Sequence, residues 1–244
     1  TVNVPCGMSY LWVSPGDGNT YSVSGVYTYT VANTNCGVDS QILNLVVAPC
    51  SDTLNLRCFI ECYMDGANTM RPVLLNQGIG NSLTDCDNIT VEIYDNNKVF
   101  IATANPMLDI FGNAVCVFTP ALNITTQTYY IKVMHRTTID TWSVPITYTP
   151  GVTLNYDFSI AATQAFGANQ VQVSSSPNVF AMYSGDIVKD CNIDLLDNSS
   201  LELAAQLFLF GYFPEDLNGD GNVDLLDFPC LEFNINAFIF CQEP

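Results

Sequence analysis

The sequence has few basic residues. Only 6 Lys and Arg stand against 24 Asp and Glu in 244 residues, so the formal net charge is −18. Nucleic-acid binding needs a basic surface that replaces phosphate counterions, and electrostatic attraction to anionic lipids needs a similar surface. Six scattered basic residues supply neither surface. The composition therefore excludes nucleic acid as a partner and excludes electrostatic binding to a membrane.

The sequence also lacks the usual catalytic patterns and long apolar segments. It contains a single histidine, His135, and neither a nucleophile elbow nor a Gly-rich phosphate loop. The acids before residue 184 are sparse and fall mostly in turns, which gives little support for a glycosidase pair. No apolar run is long enough to span a bilayer. We expect a chain that is not an enzyme, in which His135 has a structural role.

The ten cysteines include no CxxC pair, so a thiolate zinc site is poorly supported. Scattered cysteines in this number are typical of disulfides formed in an oxidising compartment. We therefore predict a mature secreted protein, extracellular or at a cell surface, whose signal peptide has been removed and whose cysteines are mostly oxidised. Cys6 and Cys36 are one candidate pair, and pairing of each with the next domain is the alternative.

Turn signals and strand-like alternation predict a mainly β chain in three parts. Residues 1–49 are predicted to form an N-terminal extended segment and a small Ig-like β module, and residues 50–183 a β-sandwich. Within the first segment, Val2 and Val4 point to one face of an extended strand. Such a strand can add to the sheet of a neighbouring copy, or it can pair within its own domain.

Half of the carboxylates, twelve of 24, lie between residues 184 and 244, where Lys189 is the only basic residue. One stretch there places oxygen-bearing side chains at positions 1, 3, 5, 9 and 12 of a loop, with Gly221 at position 6. Ca²⁺ prefers six to eight oxygen ligands, and this spacing wraps a chain around it. The predicted ligands are Asp216, Asn218, Asp220, Asn222 (through its carbonyl), Asp224 and Asp227.

A weaker copy of the loop lies 30 residues earlier. Its predicted ligands are Asp186, Asp190, Asn192, Asp194 and Asp197. Val188 removes the ligand at position 3, and Cys191 replaces the turn glycine. Internal similarity continues beyond both loops, so residues 184–244 are predicted to be a duplicated loop–helix unit. Weaker calcium binding is expected in the first loop.

This duplicated unit resembles a type I dockerin, the paired calcium module of secreted polysaccharide-degrading systems. The resemblance implies Ca²⁺ as cofactor and a cohesin as partner, bound around the tenth and eleventh positions of the helix after each loop. The apolar stripe Leu201, Ala204, Ala205 and Phe208 is expected to pack within the module. Cys191 and Cys230 are a second candidate disulfide, joining the two halves.

The N-terminal part is similar to other secreted proteins. Residues 6–40 (Cys6…Ser9-Tyr10-Leu11-Trp12…Gly25-Val26-Tyr27-Thr28-Tyr29-Thr30…Cys36) resemble the short β repeats of Bacteroidetes surface and gliding-motility adhesins. Stretches of residues 54–143 resemble a sandwich domain of the same proteins that often precedes a dockerin-like tail. Asp52-Thr53-Leu54 resembles their short O-glycosylation site, which implies modification of Thr53.

Together these features predict an extracellular calcium-binding protein of structural or adhesive type. Its most concrete form is a subunit of a bacterial surface appendage or filament that assembles head-to-tail by β-strand addition. Two alternatives remain. The chain is a dockerin-type docking protein for a cohesin partner, or it is a carbohydrate-binding module that retains glycans through Trp12 or Trp142.

Overall fold

The computed structural model describes residues 1–14, 16–33, 37–47, 51–119, 122, 128–148 and 152–244. The fold is mainly β and divides into two compact units. One unit comprises residues 1–51 and 119–121, and the other comprises residues 52–118 and 122–244. Cys36 and residues 48–50 lie outside the described residues. The turn signals in Ala48-Pro49-Cys50-Ser51-Asp52 are typical of a linker, but Asp52 is the first residue of β6.

The N-terminal unit contains a three-stranded sheet in the order β1-β5-β4 and a separate β2-β3 pair. The strands are β1 (Val2–Val4), β2 (Tyr10–Leu11), β3 (Thr20–Tyr21), β4 (Gly25–Asn33) and β5 (Gly37–Val47). Val4, Trp12, Leu43 and Leu45 form a small core, against which aromatic side chains such as Tyr27 and Tyr29 pack. Side chains alternate between the two faces of β4, so its tyrosines point toward this core and its threonines toward solvent.

The N-terminal segment does not extend freely from its own unit. β1 pairs in parallel with β5, with Val2 opposite Leu45 and Val4 opposite Val47, and Val4 is buried. A strand covalently linked to its partner edge meets that edge at a higher effective concentration than it meets another molecule. The prediction that Val2 and Val4 form a free assembly strand is wrong for this chain.

The larger unit is a sandwich of a three-stranded sheet, β11-β6-β15, and a five-stranded sheet, β13-β12-β8-β9 with β14 beside β12. Two short pairs, β10-β7 and β16-β17, complete the β structure. The strands are β6 (Asp52–Arg57), β7 (Asp85–Asn88), β8 (Thr90–Asp95), β9 (Phe100–Ala104), β10 (Met107–Asp109), β11 (Asn113–Phe118), β12 (Thr128–Met134), β13 (Thr141–Trp142), β14 (Ile146–Thr147), β15 (Leu154–Asp157), β16 (Val171–Ser175) and β17 (Asn178–Ala181).

The inward-facing residues of both sheets form one continuous apolar core, which includes Leu54, Leu56, Val91, Ile131 and Phe158. Burial of this surface is the main driving force for folding of the sandwich. A short helix, α1 (Val73–Asn76), and single-turn 3₁₀ helices at 61–63, 158–160, 162–164 and 166–168 connect the strands.

The apolar run from Leu54 to Met64 predicts one long strand, but the strand is shorter in the structure. It ends at Arg57, and Glu61–Tyr63 form a 3₁₀ turn. An apolar run of this length cannot be divided by periodicity alone, because a buried strand and a buried turn are equally apolar. Thr53 lies in β6, half-buried and opposite Val117, so its glycosylation stays a prediction.

The C-terminal residues form two loop–helix units, with helices α2 (Leu195–Gln206) and α3 (Phe228–Asn236). They share a core that includes Leu201, Val223 and Leu231, and this core also contains Ile139 of the sandwich. The predicted boundary at residue 184 is therefore not a boundary between compact units. No helix within the described residues is long and apolar enough to cross a membrane.

Candidate calcium centre and adjoining surface

The second loop is folded around the carboxylate of Asp216, at position 1, which is fully buried. Its Oδ1 accepts the backbone N–H groups of Gly219 and Asp220 at 2.9 and 3.2 Å. Its Oδ2 accepts the N–H of Gly221 at 2.8 Å. Gly221 has φ +95°, so the predicted turn glycine occupies the left-handed region that favours glycine.

Asp227, at position 12, closes the same loop and is also fully buried. Its two carboxylate oxygens accept the N–H groups of Asn218 and Asp224, each at 2.9 Å. The intervening side chains continue the pattern, since Asn218 Oδ1 accepts from Asp220 and Asp220 Oδ1 accepts from Asn222. All six predicted residues therefore belong to one closed loop.

The two buried carboxylates of this loop lack a basic partner among the described residues, because none of the salt bridges there includes them. Burial raises the pKa of Asp216 above its ordinary value. Burial, together with the charges of Asp216 and Asp220, raises the pKa of Asp227 to about 7. A buried pair of like charges is costly unless a cation neutralises it.

The donor set of the second loop suits a hard divalent cation, because every predicted ligand atom is oxygen. In the described residues the carboxylates of the loop are not gathered as three within 4.8 Å. The one such group there is Glu61, Cys62 and Cys230. The two sulfurs of that group are joined in a disulfide and are not free to ligate.

The second loop is seated on α1 and its flanks. Gln77 Nε2 donates to Asp216 Oδ2 at 2.5 Å, Arg71 donates to the Asn218 carbonyl at 2.8 Å, and Asn76 donates to the Gly219 carbonyl at 2.9 Å. A Cβ at Gly221 would lie 2.5 Å from the Asn76 carbonyl oxygen. Hydrogen bonds from the sandwich residues thus hold the loop in place.

The first loop has the same backbone plan. Asp197 accepts the N–H groups of Ile187, Val188 and Asp194 at 2.7 to 3.0 Å, and the buried Asp186 accepts from Asp190 and Cys191. Asn192 Nδ2 donates to Asp190 Oδ1 at 3.3 Å. Every predicted residue of the weaker site is therefore in one loop.

The first loop differs from the second in its charge balance. Lys189 Nζ lies 3.7 Å from Asp186 Oδ2, and it donates to the carbonyls of His135 and Thr138. Burial raises the pKa of Asp186 above its ordinary value, and the ammonium of Lys189 offsets part of this increase. The ammonium group of Lys189 therefore offsets part of the negative charge that would attract Ca²⁺ to this loop.

The predicted pairing of Cys191 with Cys230 is wrong, although both residues are in disulfides. Cys191 pairs with Cys241, and Cys230 pairs with Cys62 of the sandwich. The Cys241 N–H donates to the Cys191 carbonyl at 2.9 Å, which places the end of the chain beside the first loop. Cys230 is near the start of α3 and reaches the sandwich instead.

Five of the eight described cysteines are disulfide-bonded, and Cys6 is one of them. Because Cys36 is outside the described residues, the pairing of Cys6 with Cys36 stays a prediction. Cys58, Cys86 and Cys116 are buried free thiols. Burial raises the pKa of Cys116 to about 12, so this thiol stays protonated and unreactive at neutral pH.

A buried polar network behind the second loop was not predicted from the sequence. Asp87 Oδ2 lies 3.0 Å from both His135 Nε2 and Arg136 Nε, and Asp87 Oδ1 accepts from Tyr212 at 2.8 Å. Burial raises the pKa of Asp87, but hydrogen bonding to His135 and the charge of Arg136 lower it well below its ordinary value. Arg136 also donates to Gln77, at 2.9 Å.

This network gives His135 the structural position expected for it, fully enclosed between Asp87 and Thr137. Gln77 joins the network to Asp216 of the second loop. The bonds of this network join residues up to 139 positions apart in the chain, so no local motif marks the network.

The surface beside the loops is unusually apolar. Leu195 and Leu196 lie between Asp194 and Asp197, and Leu225 and Leu226 occupy the same places in the second loop. All four side chains are at least 60% exposed. The sequence marks these leucines by the repeated Asp-Leu-Leu-Asp, in which only the acids were expected to have a function.

The predicted stripe on α2 is mostly internal, as expected, because Leu201 and Ala204 are buried. Phe208 differs and is 84% exposed, as is its repeat equivalent Phe238 at 83%. Phe208 and Leu225 line one groove together with Phe228, and contiguous exposed apolar surface favours a binding role. The other large apolar side chains exposed on this module include Leu203, Leu207, Phe210, Phe233 and Phe240.

The two tryptophans do not provide a sugar-stacking surface. Trp12 packs in the core of the N-terminal unit, and Trp142 packs against Tyr94, with ring centroids 4.7 Å apart. Both side chains are buried. The prediction that glycan binding depends on either tryptophan is therefore wrong, because a stacking platform has to present a ring face to solvent.

Comparison with known proteins assigns no family. No family model matches the chain, and no curated protein matches it. Two similar solved structures are crystal structures of type II cohesin–X-dockerin complexes from Acetivibrio cellulolyticus, one an N-terminal and one a C-terminal interface mutant. They are each 14% identical to this chain, cover 77% and 75% of it and 97% and 95% of their own chains, and have TM-scores of 0.43. At these TM-scores the similarity assigns neither fold nor function.

Proposed function

We propose that this chain is an extracellular calcium-binding structural protein whose C-terminal module docks a protein partner of the cohesin type. The sandwich and the N-terminal unit serve as the body that the module attaches to a larger assembly. Calcium in the second loop holds the docking surface in its binding conformation. The first loop binds calcium more weakly, because Val188 supplies no oxygen and Lys189 offsets the charge of Asp186.

The observation that carries this proposal is the pair of exposed leucines inside each acidic loop. Leu225 and Leu226 stand between Asp224 and Asp227, so any cation held by those acids fixes the leucines as well. Leu225 is 81% exposed although it lies two residues from a fully buried carboxylate. Apolar side chains held rigidly in solvent lower the entropic cost of binding a partner.

The resemblance to dockerins supports the choice of partner. The resemblance implies that a cohesin binds the helix after each loop, and the exposed leucines lie where these helices begin. Leu195 and Leu196 are the first residues of α2, and Leu225 and Leu226 stand just before Asp227, which precedes α3. The disulfides Cys62–Cys230 and Cys191–Cys241 suit an extracellular location.

Binding of a recombinant cohesin from the producing organism tests the proposal. Isothermal titration calorimetry should give one-to-one binding in 1 mM Ca²⁺ and none in EGTA. Leu225→Asp together with Leu195→Asp should abolish binding, because each buries an unpaired charge at the interface. Asp65→Asn, at an exposed acid of the sandwich, is the control and should bind like the unmodified chain.

The outcomes separate the two parts of the proposal. Binding that persists in EGTA would contradict the role of calcium. Binding that survives the double leucine substitution would contradict the docking surface. Failure of every cohesin of that organism to bind the calcium-loaded chain would overturn the choice of partner.

A further inference from the structure

Within the part of the chain that the structure describes, strand β4 forms an open edge of the N-terminal sheet. The sheet order β1-β5-β4 gives β4 one hydrogen-bonded neighbour, and its nine residues pair with β5 from Gly25 to Asn33 without a register shift. Among the described residues, no backbone hydrogen bond outside this ladder involves the strand. Half of its N–H and C=O groups therefore face away from β5 without a backbone partner.

This edge lacks the features that usually prevent strand-to-strand association. Natural edge strands are short, or have prolines, bulges or charged side chains, especially lysine. Residues 25–33 read GVYTYTVAN, with no proline and no charged residue, and the regular pairing shows no bulge. A long, regular and uncharged edge is a template for another strand.

We propose that β4 pairs with β4 of a second copy of this chain, antiparallel and centred on Tyr29. In that register Gly25 meets Asn33 of the other copy, and all nine residues are paired. In this register odd-numbered residues lie opposite odd-numbered ones, and even-numbered residues opposite even-numbered ones. The tyrosines of both copies therefore lie on the core face of the joined sheet, and the threonines on its solvent face. The result is a continuous six-stranded sheet with two-fold symmetry.

The charge distribution favours a second copy as the occupant of this edge. Residues 1–51 contain two acids, Asp17 and Asp39, and no basic residue, whereas the whole chain has a net charge of −18. Two copies repel each other least where they join through this part of the chain. Thr28 of one copy would face Thr30 of the other, a cross-strand pair that is favourable in antiparallel sheets.

Charge reversal across the proposed joint provides the test. Two variants of the full chain are made, Thr28→Lys with Thr30→Lys, and Thr28→Glu with Thr30→Glu. Each variant alone places like charges opposite each other, whereas a mixture places lysine opposite glutamate at both positions. Ser40→Lys with Ile42→Lys is the matched control, because these residues are the β5 neighbours of Thr30 and Thr28 on the same face.

Sedimentation equilibrium should give twice the chain mass of 26.7 kDa for the unmodified chain and for the control. Each charged variant alone should sediment as a monomer, and the equimolar mixture should recover the dimer. A monomeric unmodified chain at 1 mM would overturn the proposal, as would dimers of both charged variants. Loss of the dimer in the control would show that the sheets associate by their faces, which also contradicts edge pairing.

Recovery in the mixture shows that both charged variants fold, so a misfolded variant cannot imitate the expected result. The test is independent of calcium and of any cohesin. Its failure would leave the proposed docking function untouched.

Discussion

Without calcium, the stability of the chain should fall as the pH rises, because Asp227 is buried beside other acids. Its pKa is raised from 3.8 to about 7. Between these two values the folded state keeps a proton that the unfolded state has released. Stability contributed by the protonated group is therefore complete below pH 4 and is lost as the pH rises through 7.

The size of the effect follows from the two pKa values. At 1.36 kcal/mol per unit, the difference corresponds to a loss of about 4 kcal/mol between pH 4 and pH 8. For a unit of this size, that loss lowers the melting temperature by about 10 °C. Bound calcium replaces the proton as the neutralising charge, so the loss should disappear in saturating calcium.

Other groups titrate in the same range, so a variant is needed to isolate Asp227. Burial lowers the pKa of His135, which makes stability rise with pH near neutrality and opposes the effect. Asp227→Asn removes only the titration of this carboxyl, at a constant cost of about 1–3 kcal/mol for one lost hydrogen bond. Glu202→Gln, at an exposed acid, is the control.

Differential scanning calorimetry in EGTA from pH 5 to pH 8 measures the slopes. The unmodified chain and Glu202→Gln should lose more stability with rising pH than Asp227→Asn does. In saturating calcium at pH 8, the unmodified chain should have a clearly higher melting temperature than Asp227→Asn. Parallel pH profiles of the unmodified chain and Asp227→Asn in EGTA would show that the Asp227 carboxyl does not set the pH dependence.

Three further predictions concern the first loop, the buried network and the thiols. Val188→Asn adds the missing oxygen ligand and should strengthen calcium binding by the first loop, whereas two equally tight sites in the unmodified chain would contradict the role given to Val188. Asp87→Ala leaves Arg136 buried without its carboxylate and should cost about 3–5 kcal/mol in urea unfolding, whereas a loss below about 1 kcal/mol would show that solvent reaches the network. Alkylation without reduction should label the three described buried thiols only in denaturant, and rapid labelling of the native chain would contradict their burial. These thiols are Cys58, Cys86 and Cys116.

Local patterns predicted the local structure well. Half-buried and buried side chains alternate along β12, Thr128–Met134, with the period of two that its sequence shows, and the loop position of Val223 accounts for its burial. Both depend on residues a few positions apart, where side-chain direction is set by backbone periodicity. The closed shape of the two acidic loops follows from the same short spacing.

Contacts between distant residues could not be predicted. Cys62 and Cys230 are 168 residues apart, and ten cysteines allow too many pairings for spacing to select this one. The position of Ile139 in the core of the C-terminal module depends on how that module packs, which no periodicity records. The sequence of β1 fitted both addition to another copy and pairing within its own unit, and the choice between them depends on the β5 edge, with which β1 pairs.

Calcium titration of the full chain shows whether the acidic loops are metal sites. Isothermal titration calorimetry at pH 7.5 should show one tight site and a weaker second site. Asp227→Asn should abolish the tight site, whereas the matched change in the first loop, Asp197→Asn, should remove only the weaker one. Absence of calcium binding by the unmodified chain, or an unchanged tight site in Asp227→Asn, would contradict the assignment of the second loop as the calcium centre.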